Sequence, residues 1–158
     1  MAAPPRERSS PALDATSKRI IEHLQADGRR SYAAIAADVG LSEAAVRQRV
    51  TRMVEAGVMQ VVAVTDPMQV GFPRQAMVGV RCAGDVTAVA RALAELDEVT
   101  YVVASAGSFD VLLEVVCEDD DHLLDLISRR VRAVPGVAST ETLVYLKLIK
   151  QRYDWGTR

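Results

Sequence analysis

Three arginines, a glutamine, a threonine and a glutamate share one short segment, Glu43 to Arg52, at a spacing that suits the reading of nucleic acid. If the segment is a helix whose Val46, Val50 and Met53 are buried, then Glu43, Ala44, Arg47, Gln48, Thr51 and Arg52 fall on the free face. Arginine donates two parallel hydrogen bonds to guanine and glutamine pairs with adenine, so Arg47 and Gln48 are the candidates for base edges. Arg49, Arg52 and the neighbouring pair Arg29 and Arg30 are candidates for phosphate contacts, which fix register without reading sequence.

The elements that must position these residues are legible around them. Asp14 is placed to cap a first helix with the apolar stripe Ile20, Ile21 and Leu24, which stops at Asp27-Gly28. Ser31 caps a second helix carrying Ile35, Ala36 and Val39, and Gly40 ends it, because a left-handed residue is easiest without a Cβ. Ser42 caps the third, with Glu43 in its first turn and Val46, Val50, Met53 and Val54 as the expected buried stripe up to Gly57. A small residue where two helices touch (Ala36), a turn-tolerant residue four later (Gly40) and pinning apolar residues (Leu41, Val46, Val50) make a helix-turn-helix.

After Gly57 the hydrophobic period changes to that of strands. The reading is a strand Val58 to Thr65, as a wing or linker, and a connector Pro67 to Pro73. Strand Gln75–Cys82, helix Asp85–Leu96, strands Val99–Ala106 and Asp110–Glu118, helix Asp120–Val134 and strand Val137–Ile149 follow. That order, βαββαβ, with antiparallel pairing gives a ferredoxin-like sandwich, so the fold class is α+β. The expected organisation is a tail over 1–12, a helix-turn-helix domain over 13–57, a linker over 58–73, a ferredoxin-like domain over 74–150 and a C-terminal tail over 151–158.

Composition agrees with a globular protein: 49% of the 158 residues are apolar and 25% charged. Net charge is -2, but nine Lys/Arg and seven Asp/Glu stand up to Val64, against ten and fourteen after it. A mildly basic front and an acidic back suit a chain whose first part alone meets phosphates. Apolar runs such as Val61–Val64 are far short of the ~18–20 residues of a membrane span, and the opening lacks the apolar stretch of a signal peptide. A cytoplasmic protein without membrane contact is expected, with Cys82 and Cys117 as buried thiols.

Three stretches are more specific: Leu13 to Met59, the segment GSFDVLLEV from Gly107, and VPGVASTETLVYLKLIK ending at Lys150. Together they resemble the Lrp/AsnC family of leucine- and asparagine-responsive transcription regulators. The resemblance implies a sensing domain of the βαββαβ kind, homodimers formed through its sheets and further assembly into tetramers of dimers (octamers); a dimer of helix-turn-helix domains is in turn expected to bind pseudo-palindromic double-stranded DNA. The resemblance also implies a small effector, usually an amino acid, held between dimers at a glycine followed three residues later by aspartate, here Gly107 and Asp110. Glycine exposes backbone N–H groups to a carboxylate, and aspartate accepts from an ammonium. Ser108, Phe109, Thr140 and Thr142 are the expected neighbours. The aromatic residue that often stands four positions before that glycine is Val103 here, so the effector's identity does not carry over.

No metal, cofactor or catalytic residue is expected. His23 and His122 are isolated, Ser105 and Ser108 have no neighbouring base, and the acidic run Glu118 to Asp121 reads as the start of a helix. Two alternatives stay open: an effector-independent architectural DNA-binding protein, and a small enzyme built on the back half.

Overall fold

The computed structural model describes residues 13–158, and the tail expected over 1–12 lies outside them. The chain divides into two compact units, one containing residues up to 63 together with 150–158, the other 64–149.

In the first unit, α1 spans Ala15–Ala26, α2 Tyr32–Val39 and α3 Glu43–Glu55. Each begins where a side chain accepts a hydrogen bond from an otherwise unpaired helix N–H: Asp14 from Ser17, Ser31 from Ala34, Ser42 from Ala45. Gly40 closes α2 with φ 72°, the left-handed turn expected of it. Ile20, Ile21, Leu24, Ile35, Ala36, Val46, Val50 and Met53 form the core, with Leu13, Tyr32, Val39 and Leu41 packed against it. Val54 is not part of that stripe; it is 42% exposed, one residue beyond the arc that Met53 closes. The C-terminal residues return to this unit, where the Gly156 N–H donates to Gln25 Oε1 (3.1 Å) and the Thr157 hydroxyl to Glu22 Oε1 (2.6 Å).

The second unit is ferredoxin-like. Strands β1 (Arg74–Cys82), β2 (Val99–Ala104), β3 (Val111–Cys117) and β4 (Val137–Val144) form an antiparallel sheet in the order β2-β3-β1-β4. Helix α4 (Val86–Leu93) follows β1. Helix α5 (Asp120–Asp125) follows β3 and continues as a wider π-helical stretch, Leu126–Val131. Alternation along β1 and β3 buries Ala76, Val78, Val80, Val111, Leu113, Val115 and Cys117 against Val89, Leu93, Leu123, Leu126, Ile127 and Val131 of the helices, so one sheet face is covered.

Other expectations are corrected as well. Val58–Thr65 is not a strand, because no strand among the described residues pairs with it; Val61, Val62 and Val64 stay exposed. Helix α4 ends at Leu93 rather than Leu96. Strand β4 ends at Val144, not Ile149. Its partner β1 starts just after Pro73, so the ladder stops with the Tyr145 N–H on Gln75 O, and Leu146 to Ile149 are left exposed.

Candidate functional site

The cap at Ser42 and the buried trio Val46, Val50 and Met53 fix the rotation of α3, and with it every side chain on the far side. Glu43, Ala44, Arg47, Gln48, Thr51 and Arg52 are all exposed on that free face. Arg47 is held there by two groups: its Nη2 donates to Glu43 Oε1 at 2.7 Å, and its Cζ lies 5.1 Å from the ring centroid of Tyr32. Arg52 reaches back to the Gln48 carbonyl at 3.4 Å.

The four arginines assigned to phosphate differ in what already occupies them. Arg29 and Arg52 are exposed. Arg30 is ion-paired with Asp38, whose backbone carbonyl also accepts from Arg19. Arg49 points into the unit, donating to Asp14 Oδ2 (2.7 Å) and Ser17 Oγ (3.0 Å). The Ser17 backbone N–H, followed by Arg49, lowers the pKa of Asp14 from 3.8 to about 2. Arg49 thereby ties α3 to the start of α1.

In the second unit, the turn between β2 and β3 is pinned from several sides. The Ser105 N–H donates to Asp110 O (2.9 Å) and its hydroxyl to Phe109 O (2.6 Å). Asp110 extends the β1–β3 ladder: its N–H donates to Val80 O (2.9 Å) and its Oδ2 accepts from the Cys82 N–H (2.7 Å). None of the described hydrogen bonds uses Asp110 Oδ1. Gly107 and Ser108 are exposed at the tip. Gly107 has no positive φ, and a Cβ there would meet nothing within 4 Å.

Phe109 lies over Gly79 on the uncovered sheet face, and the Arg81 guanidinium stands 5.5 Å from its ring centroid. Thr140 and Thr142 are not brought to that face. They are in register with Val80 and Val78, so their side chains share the helix-covered side, where the Thr140 hydroxyl accepts from Arg132 Nε at 3.0 Å. The structure thus brings together Gly107, Ser108, Phe109 and Asp110 and sets the two threonines across the sheet.

Sequence reasoning missed Tyr32, Gly79 and Arg81. A lone glycine inside a strand signals a close approach of another group, so Gly79 was findable. The pairing of Tyr32 with Arg47, fifteen positions apart, has no local signal.

His122 is also less isolated than its surroundings in sequence suggest. Its Nδ1 accepts from the Glu118 N–H, and its Nε2 lies 3.1 Å from Glu98 Oε1, which also pairs with Arg130. Burial opposes ionisation of Glu98 most, yet hydrogen bonds from His122, its own backbone and Arg130 together hold its carboxyl below the ordinary value. The acidic run serves the helix start: Asp119 caps α5 and Asp120 pairs with Arg74. No cluster of metal-ligating side chains occurs among the described residues, and no described helix is long and apolar enough to cross a membrane.

Comparison with known proteins adds independent findings. The AsnC-type helix-turn-helix domain matches residues 13–54, and the Lrp/AsnC ligand binding domain matches 75–155. An HTH-type transcriptional regulator of Pyrococcus furiosus is 34% identical over 143 residues, covering 89% of this chain and 97% of its own. The structure of Escherichia coli AsnC superimposes with a TM-score of 0.77 at 26% identity, over 90% of this chain and 98% of that one. A Neisseria meningitidis transcriptional regulator in complex with L-Met gives 0.77 and 26%, over 90% and 96%.

Proposed function

Given that the chain belongs to the Lrp/AsnC family of transcriptional regulators, we propose that it reads pseudo-palindromic double-stranded DNA sequence-specifically and that a small effector, an amino acid, modulates its assembly or DNA affinity. The observation that carries the DNA half is the exposed row Glu43, Ala44, Arg47, Gln48, Thr51 and Arg52 opposite a fully packed seam. Short residues at the start of α3 let it enter the major groove, Arg47 and Gln48 meet base edges, and Arg29 and Arg52 meet phosphates. A dimer would set two such helices about 34 Å apart, or a multiple of that.

The effector half rests on the turn at Gly107. Neither backbone conformation nor neighbouring atoms demand a glycine there, so its value lies in what approaches from outside. An amino acid's carboxylate meets the exposed backbone of Gly107 and Ser108, and its ammonium meets Asp110 Oδ1. The relative bound to L-Met supports an amino acid as the ligand class. Homodimerisation is supported by the uncovered sheet face, where Tyr101 and Leu143 are about half exposed, and by the unpaired apolar segments Val61–Val64 and Leu146–Ile149. Effector held between dimers then shifts a population of assemblies, and so the helix spacing offered to DNA. The protein acts by binding in the cytoplasm, without cofactor or catalysis.

The test is a thermal-shift screen against the twenty amino acids, followed by sedimentation and binding to a selected duplex. A ligand at about 100 times its Kd raises stability by about 2.7 kcal/mol. A selective shift accompanied by a change in assembly or DNA affinity supports the proposal. Selective DNA binding with no response to any compound would leave an effector-independent regulator, and weak discrimination between selected and random duplexes would favour the architectural protein.

A further inference from the structure

We infer that Tyr32 is a positioning residue for base reading, holding the Arg47 guanidinium over the groove-facing side of α3; this rests on the DNA-reading assignment above. Tyr32 is the first residue of α2, fixed in place by the Ser31 cap, with its half-buried ring packed against the core of the first unit. A ring anchored in this way has little freedom. Its remaining face carries the Arg47 guanidinium, 5.1 Å from centroid to Cζ, an attraction between a cation and the negative face of an aromatic ring. On the other side Glu43 accepts from Nη2 at 2.7 Å. Arg47 is therefore held across the helix-turn-helix seam by one residue from each helix, although its side chain is still 62% exposed.

The other arginines of α3 show what this arrangement changes. Arg49 is turned inward to Asp14 and Ser17, and Arg52 rests on a backbone carbonyl of its own helix. An arginine on a flexible stem finds any nearby phosphate, whereas bidentate recognition of a guanine needs the plane of the guanidinium set in advance. A fixed ring beneath the guanidinium and a carboxylate on Nη2 restrict how it can turn, while most of the side chain stays open to solvent. Tyr32 thus acts through Arg47, turning a general cation into a reader of one base.

The experiment begins with duplexes selected by the wild-type protein from a random library. The position read by Arg47 is the one whose guanine preference disappears in Arg47→Ala. In Tyr32→Leu that preference is expected to fall at least fivefold, with affinity for random duplex and the salt slope unchanged, while Tyr32→Phe keeps it. Should Tyr32→Leu melt early, Tyr32→Met fills similar space without a ring. Ring-current shifts of the Arg47 side-chain protons in the DNA-free protein, present in wild type and Tyr32→Phe and absent in the aliphatic variant, read the stack directly.

Equal preference in wild type and both aliphatic variants would overturn the proposal, as would a loss spread evenly over selected and random DNA. Absence of the ring-current shifts in wild type would overturn it too. If the wild-type protein selects no sequence, the DNA-reading assignment fails and this proposal falls with it; if it selects one that Tyr32 does not influence, only the proposal falls.

Discussion

The ring of Phe109 lies directly over Gly79: a Cβ built on that glycine would stand 2.6 Å from two ring carbons. A strand interior that gives up its side chain at one position makes room for the turn residue arriving from β3. Gly79→Ala is accordingly expected to push the ring off the sheet and to destabilise the second unit by about 1–3 kcal/mol, the usual range for overpacking. Thermal melts compare it with Phe109→Leu, which should relieve the clash in the double variant. A wild-type melting temperature for Gly79→Ala alone would contradict the close approach.

Asp110 has two separable tasks. Its Oδ2 accepts from the Cys82 N–H, and the proposed site uses its charge for a ligand ammonium. Asp110→Asn keeps an acceptor and should leave the melting temperature nearly unchanged while weakening effector binding at least tenfold. Asp110→Ala loses both, and an unsatisfied Cys82 N–H costs about 1–3 kcal/mol. Calorimetry with the responding amino acid and a thermal melt distinguish the two, and unchanged affinity in Asp110→Asn would remove the ammonium from the account.

The arginines of α3 should give three different phenotypes. Arg47→Ala relaxes sequence preference; Arg52→Ala weakens every duplex and lowers the salt slope by about one. Arg49→Ala acts through folding, since its guanidinium bridges Asp14 and Ser17, and should lower stability by about 1 kcal/mol. Fluorescence anisotropy at several salt concentrations, beside thermal melts, separates them; a lower salt slope with full stability in Arg49→Ala would move it to the DNA surface.

The pKa of Asp14 is depressed, so its contribution to stability is complete above 3.8 and disappears as pH falls toward about 2. Asp14→Asn still caps α1 but carries no charge to lose. The wild type should therefore lose its advantage over Asp14→Asn across that window. Parallel melting curves of the two proteins from pH 5 to 2 would refute the linkage.

Cys117 is fully buried, and burial, followed by the charges of Glu98 and Asp119, pushes its thiol up to about 11. The thiolate is the reactive form. Alkylation of Cys117 in the native protein at neutral pH should be at least a hundredfold slower than in denaturant, measured by mass spectrometry, and equal rates would place the residue at the surface.

The sequence by itself determined the three helices of the first unit and the βαββαβ order of the second, though it also suggested a strand over 58–65 that does not form. Caps at Asp14, Ser31 and Ser42, the glycine at Gly40 and the periods of Val46–Met53 and Val111–Cys117 are set by interactions within a few residues, and these recur in the folded chain. The exposed face of α3 was legible for the same reason, since a buried stripe at helical spacing leaves its opposite free. What only the tertiary structure decided were relations between distant positions. Arg49 turned inward to Asp14, Tyr32 came beneath Arg47, Phe109 came over Gly79, and Thr140 and Thr142 fell on the face opposite that ring. The end of β4 at Val144 belongs with these, because a strand lasts as long as its partner does and Pro73 ends the partner. Local chemistry selects helix or strand; which residues meet depends on packing and register, and a shift of one residue in register sends a side chain to the other face of the sheet.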